Sequence, residues 1–324
     1  FQTKATKNPL HLHETRSRKS HGHQVMIVAV TGSTGLVGSA LVAAMDARGH
    51  LVRRLVRQQV HDAEREIRWN PDAGEIDAAE LNGVDAVVHL AGENIAGRRW
   101  SEGFKRRLLE SRTKGTRLLA ETLAGLELKP SVLVSASATG YYGHRGDEEV
   151  DELAPSGNGF LAEVCREWEA AAQIAHDADI RLVKLRIGPV LSPDGGALAK
   201  MLLPFKLGLG GVIASGRQYF SWIALDDLVS AIIFALENET LVGPVNAVAP
   251  GAVTNREFTK TLGRVLGRPT IFPMPAFAAR LAFGEMADEM LIGGVRVAPH
   301  ELTAVNFEFA YPQLEPALRH LLGK

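Results

Sequence analysis

Three glycines spaced three residues apart, Gly32, Gly35 and Gly38, follow an apolar run at residues 25–30. Apolar residues then recur at helical spacing from Leu36 onward, so the glycines occupy a turn from a buried strand into a helix. In such a turn the first glycine allows a tight bend, the second lets backbone approach a pyrophosphate, and the third lets helix pack closely on strand. The helix N-terminus adds unpaired N–H groups and positive dipole. The spacing therefore predicts a dinucleotide-binding turn.

The second predicted strand, 51–56, ends in arginine where an NAD site usually carries a carboxylate for the ribose hydroxyls. The chain has no Asp or Glu from Leu51 until Asp62. A guanidinium can pair with a 2′-phosphate that a carboxylate would repel. We therefore expect NADP(H) in preference to NAD, with Arg57 on the phosphate and Arg53 and Arg54 on solvated or sheet-flanking positions. An ordinary surface arginine is the alternative interpretation of Arg57.

Seven motifs, the glycine turn included, are spread along the chain. They are 31–38 (TGSTGLVG), 89–94 (HLAGEN), 99–100 (RW), 111–112 (SR), 140–143 (GYYG), 203–211 (LPFKLGLGG) and 221–227 (SWIALDD). With two C-terminal elements, 307–312 and 314–318, they resemble the extended short-chain dehydrogenases/reductases. The resemblance is strongest to the atypical group of sugar-nucleotide epimerases that includes the family 39U proteins.

The resemblance implies a Rossmann domain, a bound NADP and a substrate cleft between two domains, without an established substrate. Cofactor contacts carry over to Gly32, Thr34, Gly35, Leu36, Val37, Gly38, Val56, Arg57, Leu90, Ala91, Gly92, Arg112 and Val190. Substrate contacts carry over to Asn94, Lys206, Arg217 and Trp222. The alternatives for these four are loop capping, packing of the second domain and exposure to water.

The helix that should carry the catalytic pair of this family departs from its pattern. Typical members have Tyr-x-x-x-Lys there, and the lysine lowers the pKa of the tyrosine that transfers the proton. In the predicted helix 160–175 the matching pairs are Phe160 with Val164 or Leu161 with Cys165, and none can do this. The remaining candidates for proton transfer are Ser137, Tyr141, Tyr142 and Glu93. Ser137 is the first choice for polarising a substrate oxygen, and packing is the alternative for the tyrosines.

The order of the predicted elements favours an α/β fold with a doubly wound parallel sheet. Further strands are predicted at 84–90, 131–135 and 181–187, with helices at 101–123 and 160–175. Later segments are mostly helical, at 198–206, 225–236, 254–266 and 276–283. We predict a Rossmann domain at 25–190 and a smaller, mostly helical substrate domain at 191–324, which could be interleaved with the first.

Composition excludes several classes of function. The chain has 324 residues, 46% of them hydrophobic, and a formal net charge of −1, which gives no electrostatic reason to expect nucleic acid or a membrane surface as a partner. No apolar run reaches the roughly 18 residues of a spanning helix. The single cysteine, Cys165, fits a reducing cytosol. We expect a cytoplasmic protein with a small-molecule substrate and no metal site.

Residues 1–24 differ in composition from the rest, with five Lys or Arg residues, four His residues and few apolar ones. This is typical of a basic linker or tail. Because the sequence begins with Phe1, we hypothesise that an upstream domain precedes it in a longer native chain.

Two functions fit these observations. The first is an NADP(H)-binding, epimerase-like oxidoreductase that acts on a small polar substrate, with a nucleotide sugar as one option, and works without the usual Tyr-x-x-x-Lys relay. The alternative is a non-catalytic NADP-binding regulatory or structural protein, since a fold does not fix a function. The missing tyrosine and lysine favour the alternative, whereas the motifs around the predicted cleft favour an enzyme.

Overall fold

An eight-stranded sheet forms the centre of the computed structural model, which describes residues 19–20 and 23–324. The described residues form sixteen strands, eight of which belong to this sheet: β1 (Lys19–Ser20), β2 (His23–Gln24), β3 (Ile27–Thr31), β4 (Leu51–Val56), β5 (Glu66–Asn70), β6 (Glu75–Ile76), β7 (Ala86–His89), β8 (Val132–Ala138), β9 (Glu149–Val150), β10 (Arg181–Ile187), β11 (Val190–Ser192), β12 (Tyr219–Phe220), β13 (Ile223–Ala224), β14 (Gly243–Ala247), β15 (Val253–Thr254) and β16 (Arg296–Val297).

Helices cover both faces of this sheet and build the C-terminal part of the chain. They are α1 (Leu36–Ala47), α2 (Ala78–Leu81), α3 (Glu102–Ala124), α4 (Phe160–Asp177), α5 (Gly196–Lys206), α6 (Leu225–Glu237), α7 (Asn255–Leu266), α8 (Ala276–Phe283), α9 (Glu285–Ala287), α10 (His300–Ala304) and α11 (Leu314–Leu321). A 3₁₀ helix spans Thr139–Tyr142 and a π-helical turn spans Asp288–Ile292.

The strand order in the sheet is β14-β10-β8-β7-β3-β4-β5-β6, and every neighbouring pair is parallel except β5 with β6. The order reverses beside β3, so the chain winds outward in both directions from one switch point. The predicted doubly wound parallel sheet is thus confirmed. The prediction omitted β5, β6 and β14. Because β14 pairs with β10, a strand from beyond residue 190 completes the Rossmann sheet.

Alternate residues of the strands lie on opposite faces of the sheet and form two apolar cores. On one face Val28 packs in a cluster with Leu41 of α1 and Ile232 of α6. On the other face Ala29 packs with Leu119 of α3 and with residues of α4. This two-sided burial explains why the parallel strands read as nearly continuous apolar runs. A third cluster joins α5, α7 and α11 in the C-terminal region.

The turn between β3 and α1 has no room for a side chain at Gly32 or Gly38. Gly32 has φ of +66°, and a Cβ there would lie 2.8 Å from the carbonyl carbon of Leu90. A Cβ on Gly38 would lie 2.2 Å from the Gly32 carbonyl oxygen. Gly35 is the N-cap of α1, and its N–H donates to Gly32 O over 3.0 Å. The first turn of α1 therefore lies directly against the end of β3.

We expect Gly38→Ala to lower the free energy of unfolding by about 1 to 3 kcal/mol, because the added methyl group must push backbone apart. Gly103→Ala is the matched control, since a Cβ there meets nothing within 4 Å. A gain of up to about 1 kcal/mol is expected for the control from helix propensity. Urea unfolding of both variants measures the difference, and equal stabilities would contradict the packing described for the turn.

A buried hydrogen-bond chain ties β3, β7 and α3 together. Thr31 Oγ1 accepts from the backbone N–H groups of Leu90 and Ala91, over 3.0 and 3.2 Å. Its own proton must therefore go to Nδ1 of His89, 2.7 Å away, which leaves the imidazole proton on Nε2, 2.8 Å from Thr116 Oγ1. Burial lowers the pKa of His89 to about 4. His89 is therefore a neutral structural residue at neutral pH.

This histidine makes stability depend on pH. Its pKa in the folded protein, about 4, lies below the 6.5 expected in the unfolded chain, so only the unfolded chain binds the proton between these values. Stability must therefore fall as pH falls from 6.5 toward 4, by about 2 to 3 kcal/mol at pH 4.5. In denaturant titrations at pH 7.5 and 4.5, His89→Gln should reduce the stability difference by this amount. The exposed control His176→Gln should keep the wild-type difference, and an unchanged pH dependence in His89→Gln would contradict the assignment.

Most of the predicted tail at 1–24 lies outside the described residues. Of that segment the structure describes only the backbone pairing of β1 with β2, which is antiparallel. In residues 19–20 and 23–324, no helix combines the length and apolar character needed to cross a bilayer.

Candidate functional site

The carboxyl ends of the parallel strands form the candidate site, because β3, β4, β7, β8, β10 and β14 all end at the same edge of the sheet. The start of α1 lies in the middle of this edge, directly after β3. Gly35 provides no side-chain cap, and the first turn of α1 has no acidic residue. Within the described residues, the N–H groups of Leu36, Val37 and Gly38 have no acceptor. An anion of the size of a pyrophosphate fits this uncapped helix end. Thr34 is exposed beside it.

The segment after β7 forms a wall next to this turn. Thr31 holds Leu90 and Ala91, as described above, and Gly92 is exposed. Arg112 lies against Gly92, since a Cβ on Gly92 would be 3.3 Å from the guanidinium carbon of Arg112. The structure thus brings together the predicted wall residues and Arg112.

Arg112 is a half-buried cation that forms no ion pair within the described residues. It donates to the carbonyl oxygens of Leu108 and Glu93, each over 3.1 Å, and lies 5.0 Å from the ring centroid of Trp168. Burial lowers the pKa of its guanidinium. The residue therefore fixes the backbone at Glu93 and keeps positive charge beside the wall.

The three arginines near the end of β4 differ in their partners. Arg53 pairs with Glu80, and Arg54 pairs with Glu66 over 3.1 Å. Arg57 directly follows Val56 and is exposed, and its side chain has no hydrogen bond or ion pair within the described residues. Of the three arginines, Arg57 is thus the one available to an added anion.

A buried ion pair controls the other half of the edge. Arg186 of β10 donates from Nε and Nη2 to the two carboxylate oxygens of Glu169 in α4, over 2.9 and 3.0 Å. Ser137 of β8 donates its hydroxyl proton to the same carboxylate over 2.7 Å. All three side chains are buried. The expectation that Ser137 polarises a substrate oxygen is therefore corrected, because its single donor proton is already bound to Glu169.

Tyr142 belongs to the same network. Its hydroxyl accepts from Nη1 of Arg186 over 2.9 Å and donates to Oδ1 of Asn246 in β14 over 2.7 Å. The side chain is fully buried, and burial raises the pKa of Tyr142 to about 12. Tyr142 is therefore a packing residue with a satisfied hydroxyl, which corrects its assignment as a proton donor.

Tyr141 differs from its neighbour. The guanidinium carbon of Arg186 lies 3.5 Å from the centroid of the Tyr141 ring, a close cation–π contact. The residue is partly exposed, and its hydroxyl has no hydrogen-bond partner among residues 23–324. Tyr141 thus combines a fixed ring with an uncommitted phenol.

Apolar groups occupy the helix positions that the resemblance assigns to the tyrosine and lysine. A Cβ on Gly140 would lie 3.2 Å from Leu161 Cβ and 3.8 Å from Cys165 Sγ. Burial raises the pKa of Cys165 to about 11, so it stays a neutral thiol near pH 7.

The remaining predicted residues lie apart from this network. The Glu93 backbone N–H donates to Ser111 over 3.1 Å while its carboxylate is partly exposed. Asn94 accepts from the N–H of Ala96 over 3.0 Å, the loop-capping role considered as the alternative. Val190 is half-buried in β11, where it pairs with Ile223.

The candidate substrate residues of the C-terminal region differ in exposure. Trp222 is completely buried, and its indole N–H donates to Gly251 O over 3.0 Å. The expectation that Trp222 stacks on a substrate ring is therefore corrected, since its ring packs in the third core cluster. Lys206 is exposed at the end of α5, and Arg217 is exposed and lies 3.7 Å from Asp147.

Sequence reasoning missed four residues of the site: Arg186, Glu169, Asn246 and Glu289. Glu289 accepts from the N–H groups of Phe160 and Leu161, so the π-helical turn caps α4. A charged side chain inside the apolar strand at Arg186 was the one available signal. In the part of the chain that the structure describes, no cluster of His, Cys, Asp or Glu could hold a metal ion.

The chain matches two known family models. The model of the NAD-dependent epimerase/dehydratase family matches residues 28–247, and a domain of unknown function, DUF1731, matches 274–321. Epimerase family protein MT2273 of Mycobacterium tuberculosis is 47% identical over 292 residues, which are 90% of this chain and 96% of that protein. Human epimerase family protein SDR39U1 is 39% identical over 301 residues, covering 92% and 100% of the two chains.

Two solved structures are similar to this chain in both sequence and fold. Human SDR39U1 (isoform 2) with NADPH has a TM-score of 0.85 at 38% identity and covers 92% of this chain and 99% of that one. The nucleoside-diphosphate sugar epimerase from Corynebacterium glutamicum has a TM-score of 0.77 at 37% identity and covers 93% of this chain and 59% of that one. Sequence and fold together show that the chain belongs to the NAD-dependent epimerase/dehydratase family, in the group that contains SDR39U1.

Proposed function

We propose that the protein binds NADPH at the carboxyl edge and uses it in an oxidoreductase or epimerase-like reaction on a small polar substrate, with nucleotide sugars the first class to test. The observation that carries the proposal is the uncapped start of α1 beside a turn that has no room for a Cβ at Gly32 or Gly38. The NADPH in the crystal structure of human SDR39U1 supports it. Bound NADPH would supply a hydride, and the protein would supply binding, orientation and a proton.

The cofactor's parts match separate groups of residues. The N–H groups at the start of α1 would hold the pyrophosphate, and the segment 90–92, in which Gly92 is exposed, would line the path toward it. Arg57 would hold the 2′-phosphate, because its guanidinium has no internal partner. Arg112 would keep positive charge at the wall. The lone, buried Cys165 is compatible with the cytoplasmic location that we propose for the protein.

NADPH should bind more tightly than NADH. A charge-assisted phosphate contact contributes about 1.5 to 3 kcal/mol, so the preference should be roughly tenfold or more. Calorimetry should show that Arg57→Ala removes most of this preference. Arg54→Ala, on the same strand but already paired with Glu66, should leave it unchanged. Equal affinities for the two cofactors in the wild-type protein would contradict the role of Arg57.

Tyr141 is the proton donor that we propose. Ser137 and Tyr142 donate their hydroxyl protons inside the protein, whereas the Tyr141 phenol has no partner among residues 23–324. Arg186 lies on the ring face of Tyr141 and would hold the ring in one orientation. Glu93, with its partly exposed carboxylate, is the competing donor.

On a substrate found by screening NADPH oxidation with sugar nucleotides, aldehydes and quinones, Tyr141→Phe should lower turnover by roughly a hundredfold, the usual scale of general acid catalysis. NADPH affinity and unfolding free energy should stay at wild-type values. Tyr142→Phe is the contrasting variant and should lose about 1 to 3 kcal/mol of stability, since it leaves buried partners unpaired. Wild-type turnover in Tyr141→Phe, with none in Glu93→Gln, would assign the proton to the carboxylate.

A non-catalytic NADP-binding protein is the second candidate, and the internal hydrogen bond of Ser137 together with Leu161 and Cys165 at the relay positions favours it. The two candidates share the cofactor site and differ in turnover. Tight NADPH binding without oxidation across all three substrate classes would favour the binding protein.

A further inference from the structure

Two segments of the C-terminal region contain no acidic residue. Neither 195–225 nor 258–284 has an Asp or Glu, although the whole chain has 37 of them. The basic residues in these segments are Lys200, Lys206, Arg217, Lys260, Arg264, Arg268 and Arg280. A near-neutral chain therefore carries a local excess of positive charge.

The same two segments expose large apolar side chains. Of the twelve exposed large hydrophobic residues in the described chain, eight lie here, with relative exposures from 37% to 76%. We call these eight residues the apolar face: Leu203, Leu207, Leu209, Ile271, Phe272, Met274, Phe277 and Leu281. Scattered single exposures need no explanation, but this concentration marks an interaction surface.

Backbone contacts bring the two segments together. The Met274 N–H donates to Val212 O and the Ala214 N–H donates to Met274 O, each over 2.9 Å. The two segments therefore run side by side. Next along the chain is α8, which buries only Ala279 and exposes Phe277 and Leu281 one turn apart.

Unpaired cations border the apolar face. Lys206 and Arg268 are both exposed, and neither has an ion pair within residues 23–324. Arg280 is exposed and is paired with Asp288 over 2.9 Å. An occupant of this surface must therefore be apolar at its centre and negatively charged at its edge.

These features favour a lipid surface over a protein. A symmetric contact with a second copy would bring like cations together with no acid in the two segments to pair with them. A groove that binds an apolar peptide would enclose the side chains that line it, whereas each of these eight is at least 37% exposed. Apolar side chains beside Lys and Arg suit the boundary between acyl chains and anionic headgroups.

We propose that the protein docks peripherally on anionic membranes through the apolar face. Docking inserts Phe272, Phe277 and Leu281 below the headgroups while Lys206 and Arg268 meet anionic phosphates. It requires neither NADPH nor turnover, so it stands or falls independently of the proposed function.

Co-flotation of the full chain with vesicles tests the proposal, using phosphatidylcholine alone and phosphatidylcholine with phosphatidylglycerol. The wild-type protein should bind the anionic vesicles at least tenfold more strongly, since each basic residue contributes about 1 kcal/mol. Lys206→Glu with Arg268→Glu should remove this preference, and Phe272→Ser with Phe277→Ser and Leu281→Ser should lower binding at least tenfold. The control Leu128→Ser with Leu153→Ser changes apolar residues of similar exposure elsewhere and should bind like wild type.

Thermal unfolding of each variant checks that it is folded. No binding of the wild-type protein to anionic vesicles would overturn the proposal, as would equal loss of binding in the control variant. A wild-type dimer in light scattering that the triple serine variant dissociates would instead assign the apolar face to a second copy.

Discussion

The buried ion pair between Arg186 and Glu169 is the constraint on which the catalytic half of the site depends. Removing one partner of such a pair leaves an uncompensated buried charge and costs about 3 to 5 kcal/mol, so the pair has to stay intact. Its geometry is bidentate, with distances of 2.9 and 3.0 Å. The same two side chains then fix the Ser137 hydroxyl and the Tyr142 phenol. Two groups with the right chemistry for proton transfer are thereby turned into structural residues.

The two halves of the carboxyl edge consequently have opposite character. At the start of α1, backbone donors and the side chain of Arg57 lack internal partners, which suits a bound dinucleotide. Around Arg186, the side chains of Ser137, Tyr142, Glu169 and Asn246 are hydrogen-bonded to one another or to Arg186 across β8, β10, β14 and α4. Tyr141 differs from the other side chains around Arg186. Its ring contacts the Arg186 guanidinium, but its hydroxyl has no partner within the described residues. On the neighbouring helix, Leu161 and Cys165 lie against Gly140.

Local features of this fold could be predicted from the sequence, and long-range features could not. The turn at Gly32 is encoded by neighbouring residues, and its strand and helix were predicted correctly. The strand β14 was missed because its polar Asn246 hides a buried segment, and its partner Tyr142 lies 104 residues away. Ser137 was misassigned because Glu169 captures its proton from another element. The net charge of the whole chain likewise concealed the local positive charge of the segments 195–225 and 258–284, which contain no acidic residue.

A crystal structure of the protein with NADPH tests the central claim most directly, through the hydrogen bonds of Ser137 and the surroundings of the nicotinamide. The account predicts that Ser137 still donates to Glu169, that the 2′-phosphate contacts Arg57, and that the nicotinamide lies within reach of the Tyr141 hydroxyl. The opposite result would be a Ser137 hydroxyl rotated from Glu169 onto the cofactor, with Tyr141 turned away from it. That arrangement would show that the buried ion pair does not decide which residue transfers the proton.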